Sequence, residues 1–299
     1  MAVEASQIAN LLAIARHGSF TRAAAEKGMS QPALSNSIAL LEQRLGVQVL
    51  ERSRRGSTLT AFGEILVRRA EGVQSLLSDA EAEVRSHALG ISGPLRIGAT
   101  PSVLASLLPN ALRLLDNGQT PLDLEIVDGL DGRLVPMLRS GKIDIIVGPV
   151  DEMLGGTDDV VEAVLFDDPF WLAAGPASPF YDAKSLSLGQ LADAPWALPR
   201  EGSTYRHHVE ALFMTSGVAW PRDCILVNAL PLLESLVTHT SRITLVSRAQ
   251  LTRPPQPFRV ITLQGAGGRR IGYKLRRGGR PGPLTQQFIE ALRASASEL

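Results

Sequence analysis

A change of sequence pattern at residues 87–94 constrains the fold more than any other feature. Before this segment, apolar residues recur at helical spacing, and after it short apolar runs alternate with helical runs. The segment itself contains two glycines, a serine and a proline, a composition that breaks a helix. A length of 299 residues allows more than one domain. The pattern therefore predicts an N-terminal helical part, a hinge at 88–94 and a separate second domain.

Residues 3–45 are predicted to form three short helices separated by tight turns. Ser19 and Ser30 are suitable N-cap residues, because a short hydroxyl side chain can accept a hydrogen bond from a first-turn amide. Gly46 suits a left-handed C-cap after the third helix. This arrangement predicts a helix-turn-helix.

The third helix presents four residues away from its apolar stripe, and these are Gln31, Pro32, Ser35 and Asn36. Glutamine and asparagine can bind a base edge at two points, and a recognition helix uses its N-terminal residues for such contacts. An ordinary polar helix face would have the same composition. The helix by itself therefore does not establish DNA binding, and a second signal is needed.

A basic hairpin supplies that second signal. Residues 47–60 are predicted to form a wing whose tip carries Arg52, Arg54 and Arg55. Charged runs are often merely solvated, but residues 1–58 hold seven Lys and Arg against four Asp and Glu, while the whole chain is neutral. Phosphate contacts supply most sequence-independent affinity, so we assign these arginines to the DNA backbone and the range 1–60 to a DNA-binding domain.

A long helix, predicted over 61–87, carries two heptad series. They are Leu66, Val73 and Ala80, and Ala70, Leu77 and Val84. The series could pack against the helix's own domain. A helix between two domains has little of either to contact, so we interpret it as a dimerisation helix.

The remaining range, 95–299, alternates strands and helices in the βαβ pattern of parallel sheets. The pattern occurs twice, which predicts an α/β domain of two lobes. Lobe I is expected at about 95–163 with 271–299, and lobe II at about 164–270.

A binding cleft is expected between these lobes, because ligands of open α/β sheets lie beyond the carboxyl ends of the strands. The candidate effector-binding residues are Thr100, Pro101, Ser102, Pro149, Pro199, Arg200, Ser203 and Thr204. Ser102 and Ser203 each open a predicted helix, where free amides favour an anion. Each serine alone could equally be an N-cap. Their matching positions favour a site for a small carboxylate.

Other features predict no further chemistry. Cys224, the one cysteine, matches no metal or redox spacing and is assigned to the interior, and the adjacent His207 and His208 are poorly spaced for a shared metal. The glycines of 265–268 are interpreted as a loop and Lys274, with its neighbouring arginines, as a solvated basic face. We expect no metal, no cofactor, no catalytic residues and no membrane segment. The N-terminus lacks an export signal, which argues against a transport receptor and for the cytoplasm.

Residues 15–63 resemble the DNA-binding region of LysR-type transcriptional regulators. The matching residues include Gly18-Ser19-Phe20, Ala23-Ala24, Ser30-Gln31-Pro32-Ala33-Leu34-Ser35, Leu45-Gly46, Arg52 and Leu59-Thr60. The resemblance extends through Leu95-Arg96-Ile97-Gly98 and Gly141-Lys142-Ile143-Asp144. The resemblance implies a winged helix-turn-helix and a two-lobed effector domain similar to periplasmic binding proteins. It also implies that the partners are double-stranded DNA and a small effector, and that the chain forms a homodimer or homotetramer. Asn36 departs from the family, in which arginine is common at this position.

Overall fold

A computed structural model of the chain describes residues 3–53, 56–116, 118, 120–150, 159–201, 204–251, 257–279 and 281–298. The chain divides into two compact units. The first comprises Met1–Ala82 with Arg139–Gly141, and the second comprises Glu83–Leu138 with Lys142–Leu299. Each unit is described separately below.

The first unit begins with three helices and a hairpin, as the sequence predicts. Its elements are α1 (Ala5–His17), α2 (Phe20–Glu26), α3 (Gln31–Leu45), β1 (Leu50–Ser53), β2 (Gly56–Leu59) and the start of α4 (Ala61–Ala88). The three short helices enclose a core that includes Leu11, Ile14, Leu34, Ile38 and Leu41, all at most 1% exposed. β1 and β2 form an antiparallel hairpin.

Local hydrogen bonds set the helix boundaries. The hydroxyl of Ser19 accepts from the amide of Arg22 at 3.4 Å, and that of Ser30 accepts from the amide of Ala33 at 3.3 Å. Gly46 adopts the left-handed conformation with φ of 70°, which glycine reaches without the cost that a Cβ would add. Both predicted N-caps and the predicted C-cap are thus confirmed.

α4 changes its surroundings along its length. Leu66 packs against the core of the first unit, and Ala70 is buried there. Further along, Val73, Leu77 and Val84 are 57%, 62% and 72% exposed. The heptad series therefore contributes to the domain core at its start and presents an apolar stripe to solvent afterwards.

The second unit is an α/β structure with two lobes. The elements of its first lobe are β3 (Ser92–Ala99), α5 (Pro101–Ala105), α6 (Leu107–Leu115), β4 (Leu122–Asp128), α7 (Asp131–Arg139) and β5 (Ile145–Val150). A long strand follows, β6 (Val160–Ala174). Next come β7 (Ser185–Leu186), a 3-10 turn (Leu188–Leu191), β8 (Trp196–Leu198), α8 (Thr204–Thr215), β9 (Cys224–Leu226), α9 (Leu230–His239), β10 (Ile243–Ser247), a second 3-10 turn (Arg248–Leu251) and β11 (Arg259–Leu263). β12 (Gly268–Arg276) and α10 (Pro283–Ser297) complete the unit.

The strands are arranged in the order β4-β3-β5-β12-β6-β10-β8-β9, with β11 also on β6 and β7 on β11. β3 is parallel to both β4 and β5, and β8 is parallel to both β9 and β10. β6 belongs to both halves: it pairs with β12 up to Pro169 and with β10 from Phe170 onwards. Because separate apolar cores lie on either side of this change of partner, β6 connects two lobes.

Three local features differ from the sequence interpretation. The helical run expected after Thr100 is broken at Ser106, whose hydroxyl donates to the carbonyl of Ser102 at 2.7 Å and whose ψ of −83° departs from helix. β6 was not predicted. Lys274, expected on a solvated basic face, is 6% exposed, because its ammonium group is paired with carboxylates inside lobe I.

Candidate functional site

The residues assigned to base recognition lie at the start of α3. Gln31 and Pro32 are its first two residues and are exposed, as is Asn36 one turn later. Ser35 is half-buried. The opposite face of α3 is buried in the core, so these side chains lie on the outer side of the helix, at the surface of the first unit.

Of the three arginines assigned to the hairpin beside α3, only Arg52 lies within the described residues. Arg52 lies on β1, where its backbone pairs with Ser57 of β2. Arg54 and Arg55 lie outside the described residues. The carboxylate of Glu42, on α3, accepts hydrogen bonds from the amides of Val49 and Leu50 at 2.9 and 3.2 Å, which fixes α3 against the start of the hairpin.

A cleft opens between the lobes of the second unit, where the parallel strands of each lobe end. Its lining from lobe I is Thr100, Pro101, Ser102, Leu130, Asp131 and Pro149. Its lining from lobe II is Pro199, Tyr205, Val227, Asn228, Leu230, Leu233 and Gln250, and Arg269 completes it. The space between these walls, including open solvent at the mouth, is about 660 Å³. The position agrees with the rule for ligands of open α/β sheets.

Five of the eight residues proposed for effector binding line this cleft, namely Thr100, Pro101, Ser102, Pro149 and Pro199. Arg200 is exposed, its amide donates to Asn228 at 2.9 Å, and it is not among the lining residues. Thr204 is the first residue of α8. Ser203 lies outside the described residues.

Arg269 was not predicted, although it lines the cleft. It is 7% exposed, and its guanidinium Nε donates to the carboxylate of Asp168, itself fully buried, at 2.8 Å. Its Nη2 donates to the hydroxyls of Ser102 at 3.0 Å and Ser247 at 3.2 Å. Asp168 also accepts from the amide of Ala249 at 2.8 Å. One buried ion pair thus joins β6 and β12 to α5 and to the end of β10.

One buried hydroxyl in the cleft lining makes no hydrogen bond within the described part of the chain. The hydroxyl of Thr100 is buried and has no partner there. Arg269 differs in this respect, because its Nε and Nη2 donate three hydrogen bonds and no atom of Arg269 is among the buried groups without a partner in that part of the chain. A buried polar group without a partner is unfavourable, so a ligand with a hydrogen-bond acceptor that reaches the Thr100 hydroxyl would stabilise it.

The serine on α5 is not an N-cap. Thr100 occupies that position, its side chain makes no capping hydrogen bond, and Ser102 lies inside a helix of five residues. So short a helix aligns few peptide dipoles, so its N-terminus contributes little preference for an anion at this point.

Acidic and phenolic groups complete the lining. Asp131 pairs with the ammonium of Lys274 at 3.0 Å, and Glu162 lies 3.3 Å from the same ammonium. The Tyr205 hydroxyl donates to the carbonyl of Leu245 at 2.6 Å, and burial raises the pKa of this phenol well above its usual range. Tyr205 therefore stays neutral and contributes a ring surface to the cleft.

Neither a metal site nor a membrane segment is found within the described ranges. There, no three His, Cys, Asp or Glu side chains are arranged to hold an ion, and no helix is long and apolar enough to cross a membrane. Cys224 is only partly buried, on β9 at the edge of lobe II, rather than in the interior as expected. His208 packs edge-on against Phe170 at 6.1 Å.

A helix-turn-helix with a β-hairpin, joined to a two-lobed domain with a cleft between its lobes, defines a class: DNA-binding regulators that respond to a small molecule. Comparison with known proteins agrees. Residues 5–64 match the family described as "Bacterial regulatory helix-turn-helix protein, lysR family", and residues 88–297 match "LysR substrate binding domain". The chain therefore belongs to the LysR family of transcriptional regulators, and the expected fold class is confirmed.

Three similar proteins illustrate the relationship. The "DNA-binding transcriptional dual regulator OxyR" of Escherichia coli is 30% identical over 290 residues, covering 95% of this chain and 93% of that protein. The "Hydrogen peroxide-inducible genes activator" of Pectobacterium carotovorum is 29% identical, covering 85% and 87%. A solved structure of a cysteine-to-serine variant of Corynebacterium glutamicum OxyR bound to H2O2 matches with a TM-score of 0.60 at 27% identity, covering 100% of this chain and 94% of that one.

We predict that replacing Arg269 with Met will lower the free energy of unfolding of the effector domain by about 3–5 kcal/mol, because Asp168 is then buried without its partner. Urea denaturation of the full chain, followed by circular dichroism, measures this. Arg259→Met is the matched control: its pair with Asp182 at 2.8 Å is exposed and should contribute less than about 1 kcal/mol. Equal losses in the two variants would contradict a special role for the buried pair. The second substitution Asp168→Asn should restore part of the stability that Arg269→Met removes.

Proposed function

We propose that this regulator changes its binding to DNA when a small anion occupies the cleft, and that it acts in the cytoplasm without catalysing a reaction. The observation that carries the proposal is the hydroxyl of Thr100, which is buried without a hydrogen-bond partner within the described chain, in the lining of a cleft that Arg269 also lines. In this proposal the cleft binds the effector, and the DNA-binding unit of the same protein changes its affinity for DNA in response.

The proposal assigns two roles within the DNA-binding unit. Gln31, Pro32, Ser35 and Asn36 on α3 would face base edges in the major groove. Arg52, Arg54 and Arg55 of the hairpin would contact phosphates. The exposure of Gln31, Pro32 and Asn36 supports the first role.

The chemistry of the cleft favours a monocarboxylate with an apolar body. Arg269 offers planar donors that suit a carboxylate, and Thr100 and Ser102 add hydroxyls. Asp168 balances the charge of Arg269, so selectivity would come from hydrogen bonds more than from net charge. Asp131 lines the same cleft and would disfavour a second acid group. The apolar walls are Pro101, Leu130, Pro149, Pro199, Val227, Leu230 and Leu233.

Arg200, Ser203 and Thr204 stay predictions from the sequence. They flank the start of α8, so they would contact the effector only if it extends towards this end of the cleft.

We expect small monocarboxylates to bind the full chain at least about tenfold more tightly than their primary amides, since a charge-assisted hydrogen bond contributes roughly 1.5–3 kcal/mol. Isothermal titration calorimetry with a panel of paired acids and amides, aliphatic and aromatic, measures the difference. Thr100→Val, which keeps the shape and removes the hydroxyl, should weaken acid binding. Thr215→Val, on the exposed end of α8, is the matched control. Equal affinity for acids and amides would show that the site is not anionic.

Thiol oxidation is a poor alternative input for this chain, although similar proteins are named as peroxide-inducible activators. Reversible thiol sensing commonly closes a disulfide with a second cysteine, and these 299 residues contain only Cys224. Burial raises the pKa of the Cys224 thiol, which disfavours the reactive thiolate. Cys224 is also absent from the cleft lining. These observations support an effector that binds without covalent change.

We predict that H2O2 will alter DNA affinity equally little in the wild-type chain and in Cys224→Ser. Fluorescence anisotropy with a selected duplex, before and after peroxide treatment, measures the affinity. A response of the wild-type protein that Cys224→Ser abolishes would establish thiol sensing and overturn the argument. Non-reducing electrophoresis separates a disulfide between two chains from oxidation within one.

The exposed stripe on α4 supports dimerisation. Val73, Leu77 and Val84 are large apolar side chains at heptad spacing and are more than half exposed, which is unfavourable unless a second surface covers them. We propose that a second copy pairs along this helix and that the resulting dimer binds two DNA half-sites. A tetramer rests on the resemblance to the family.

Replacing Leu77 with Asp should dissociate the dimer, because the change places a charge in the proposed seam at a cost of several kcal/mol. Sedimentation velocity of the full chain reports the oligomeric state. Ser78→Asp adds the same charge at an exposed position outside the heptad series and should leave the dimer intact. A dimer that survives Leu77→Asp would place the interface elsewhere.

A further inference from the structure

Two carboxamide side chains line the cleft from lobe II, and backbone hydrogen bonds fix their orientation. Oδ1 of Asn228 accepts from the amide of Arg200 at 2.9 Å, and Oε1 of Gln250 accepts from the amide of Ser247 at 2.8 Å. A backbone amide only donates, so the carboxamide atom that faces it must be the oxygen. The NH2 group of each side chain is therefore the part that remains for other contacts.

These two NH2 groups are donors without a protein partner. Within the residues that the structure describes, neither Nδ2 of Asn228 nor Nε2 of Gln250 makes a hydrogen bond. Asn228 is exposed and Gln250 is half-buried, so both side chains are accessible to solvent. A ligand that displaces solvent from them must supply acceptors, because a buried donor without a partner is unfavourable.

Lobe I adds two hydroxyl groups to the lining. The hydroxyl of Thr100 is buried and has no partner in the described chain. Oγ of Ser102 accepts from Nη2 of Arg269 at 3.0 Å, and a hydroxyl that accepts one hydrogen bond still has a hydrogen to donate. Hydrogen-bond donors therefore lie on both walls of the cleft.

The acceptors of the lining are already engaged. Both carboxamide oxygens hold backbone amides, and the carbonyl of Pro199 accepts from Nη1 of Arg206 at 3.1 Å. The carboxylate of Asp131 pairs with the ammonium of Lys274 at 3.0 Å. The polar groups of the cleft therefore offer donors to a ligand more readily than acceptors.

Hydrogen-bond complementarity then selects among small carboxylic acids. A carboxylate and a ketone oxygen are acceptors only, whereas a hydroxyl carries one donor and an ammonium carries three. A hydroxy acid or an amino acid would need an acceptor, and Asp131, the carboxylate among the lining residues, already holds Lys274. A second carboxylate on the ligand would bring another negative charge towards Asp131. The head group that fits has one carboxylate and one ketone oxygen.

We propose that the effector is a 2-oxo monocarboxylic acid with an apolar side chain. The carboxamides of Asn228 and Gln250 donate to it from lobe II, and the hydroxyls of Thr100 and Ser102 donate from lobe I. In a 2-oxo acid the ketone and carboxylate oxygens are adjacent, so one compact head group receives donors from both walls. The inference rests on the proposed function, in which a small monocarboxylate occupies the cleft, and narrows it to one chemical class.

The test compares acids that differ only at the second carbon. Two series are titrated into the full chain by isothermal titration calorimetry: pyruvate, lactate, alanine and propionate, and phenylpyruvate, phenyllactate, phenylalanine and phenylpropionate. Pyruvamide and phenylpyruvamide test the carboxylate separately. We expect the 2-oxo acid of at least one series to bind about tenfold more tightly than its three counterparts, since a buried donor that loses its partner costs roughly that factor.

Two isosteric substitutions test the carboxamides. Gln250→Glu and Asn228→Asp keep the oxygen that accepts from the backbone amide and replace the NH2 donor with an acceptor. The added charge weakens the binding of every acid, so the informative quantity is the ratio of the affinities for the 2-oxo and the 2-hydroxy acid. We expect this ratio to fall to about one. Gln264→Glu is the matched control and should leave the ratio unchanged, because Gln264 is exposed on lobe II outside the cleft lining.

Three outcomes would overturn the inference. Hydroxy acids that bind as tightly as the 2-oxo acids in both series would show that the cleft does not favour a head group of acceptors alone. Tighter binding of the amino acids would show that Asp131 recognises an ammonium group. A 2-oxo preference that persists in both Gln250→Glu and Asn228→Asp would show that other groups recognise the ketone.

The amides separate these outcomes from a failure of the proposed function. If the acids bind more tightly than the amides but without a 2-oxo preference, the inference is wrong and the proposed function stands. Equal affinity for each 2-oxo acid and its amide, or no binding of any acid in the two series, would contradict the proposed function itself.

Discussion

The effector domain depends on one buried ion pair, between Arg269 and Asp168. Charges removed from water are unfavourable unless they are paired and hydrogen-bonded. Here the carboxylate accepts from the guanidinium and from the amide of Ala249, while the guanidinium also reaches hydroxyls on both lobes. The pair lies where β6 changes partners, and the hydrogen bonds of Arg269 reach residues of both lobes. Arg269, the cation of this pair, lines the cleft.

The parts of the fold that the sequence predicts are those with local causes. The three N-terminal helices have their boundaries set by Ser19, Ser30 and Gly46, each acting on residues within one turn. The exposed face of α3 follows from helical periodicity in the same way. Thr100, Pro149 and Pro199 could be placed in a cleft because each is at or beside the end of a strand, and strand ends of parallel sheets meet at one edge.

The parts that escaped prediction depend on contacts between distant residues. β6 contains Asp167-Asp168-Pro169, which resembles a turn, yet the strand continues because β12 and then β10 supply its hydrogen bonds. Arg269 follows a glycine-rich stretch typical of a solvated loop, and its partner Asp168 is 101 positions away. Lys274 is buried for the same reason, with a partner 143 positions away. Nothing in the local sequence indicates either pairing.

The position of Arg269 links the chemistry of the cleft to the arrangement of the lobes. Its Nη2 contacts Ser102 on lobe I and Ser247 on lobe II, so an acceptor entering the cleft beside it would share donors with hydrogen bonds that hold both lobes. A ligand alters an equilibrium between two arrangements only through a difference in its binding free energy to each. Ligands that reach Arg269 can have such a difference, because the geometry around this residue is set by both lobes together. Ligands held by the apolar walls of one lobe alone would bind both arrangements of the lobes with the same free energy. Among candidate effectors, the order of affinity and the order of regulatory effect need therefore not agree.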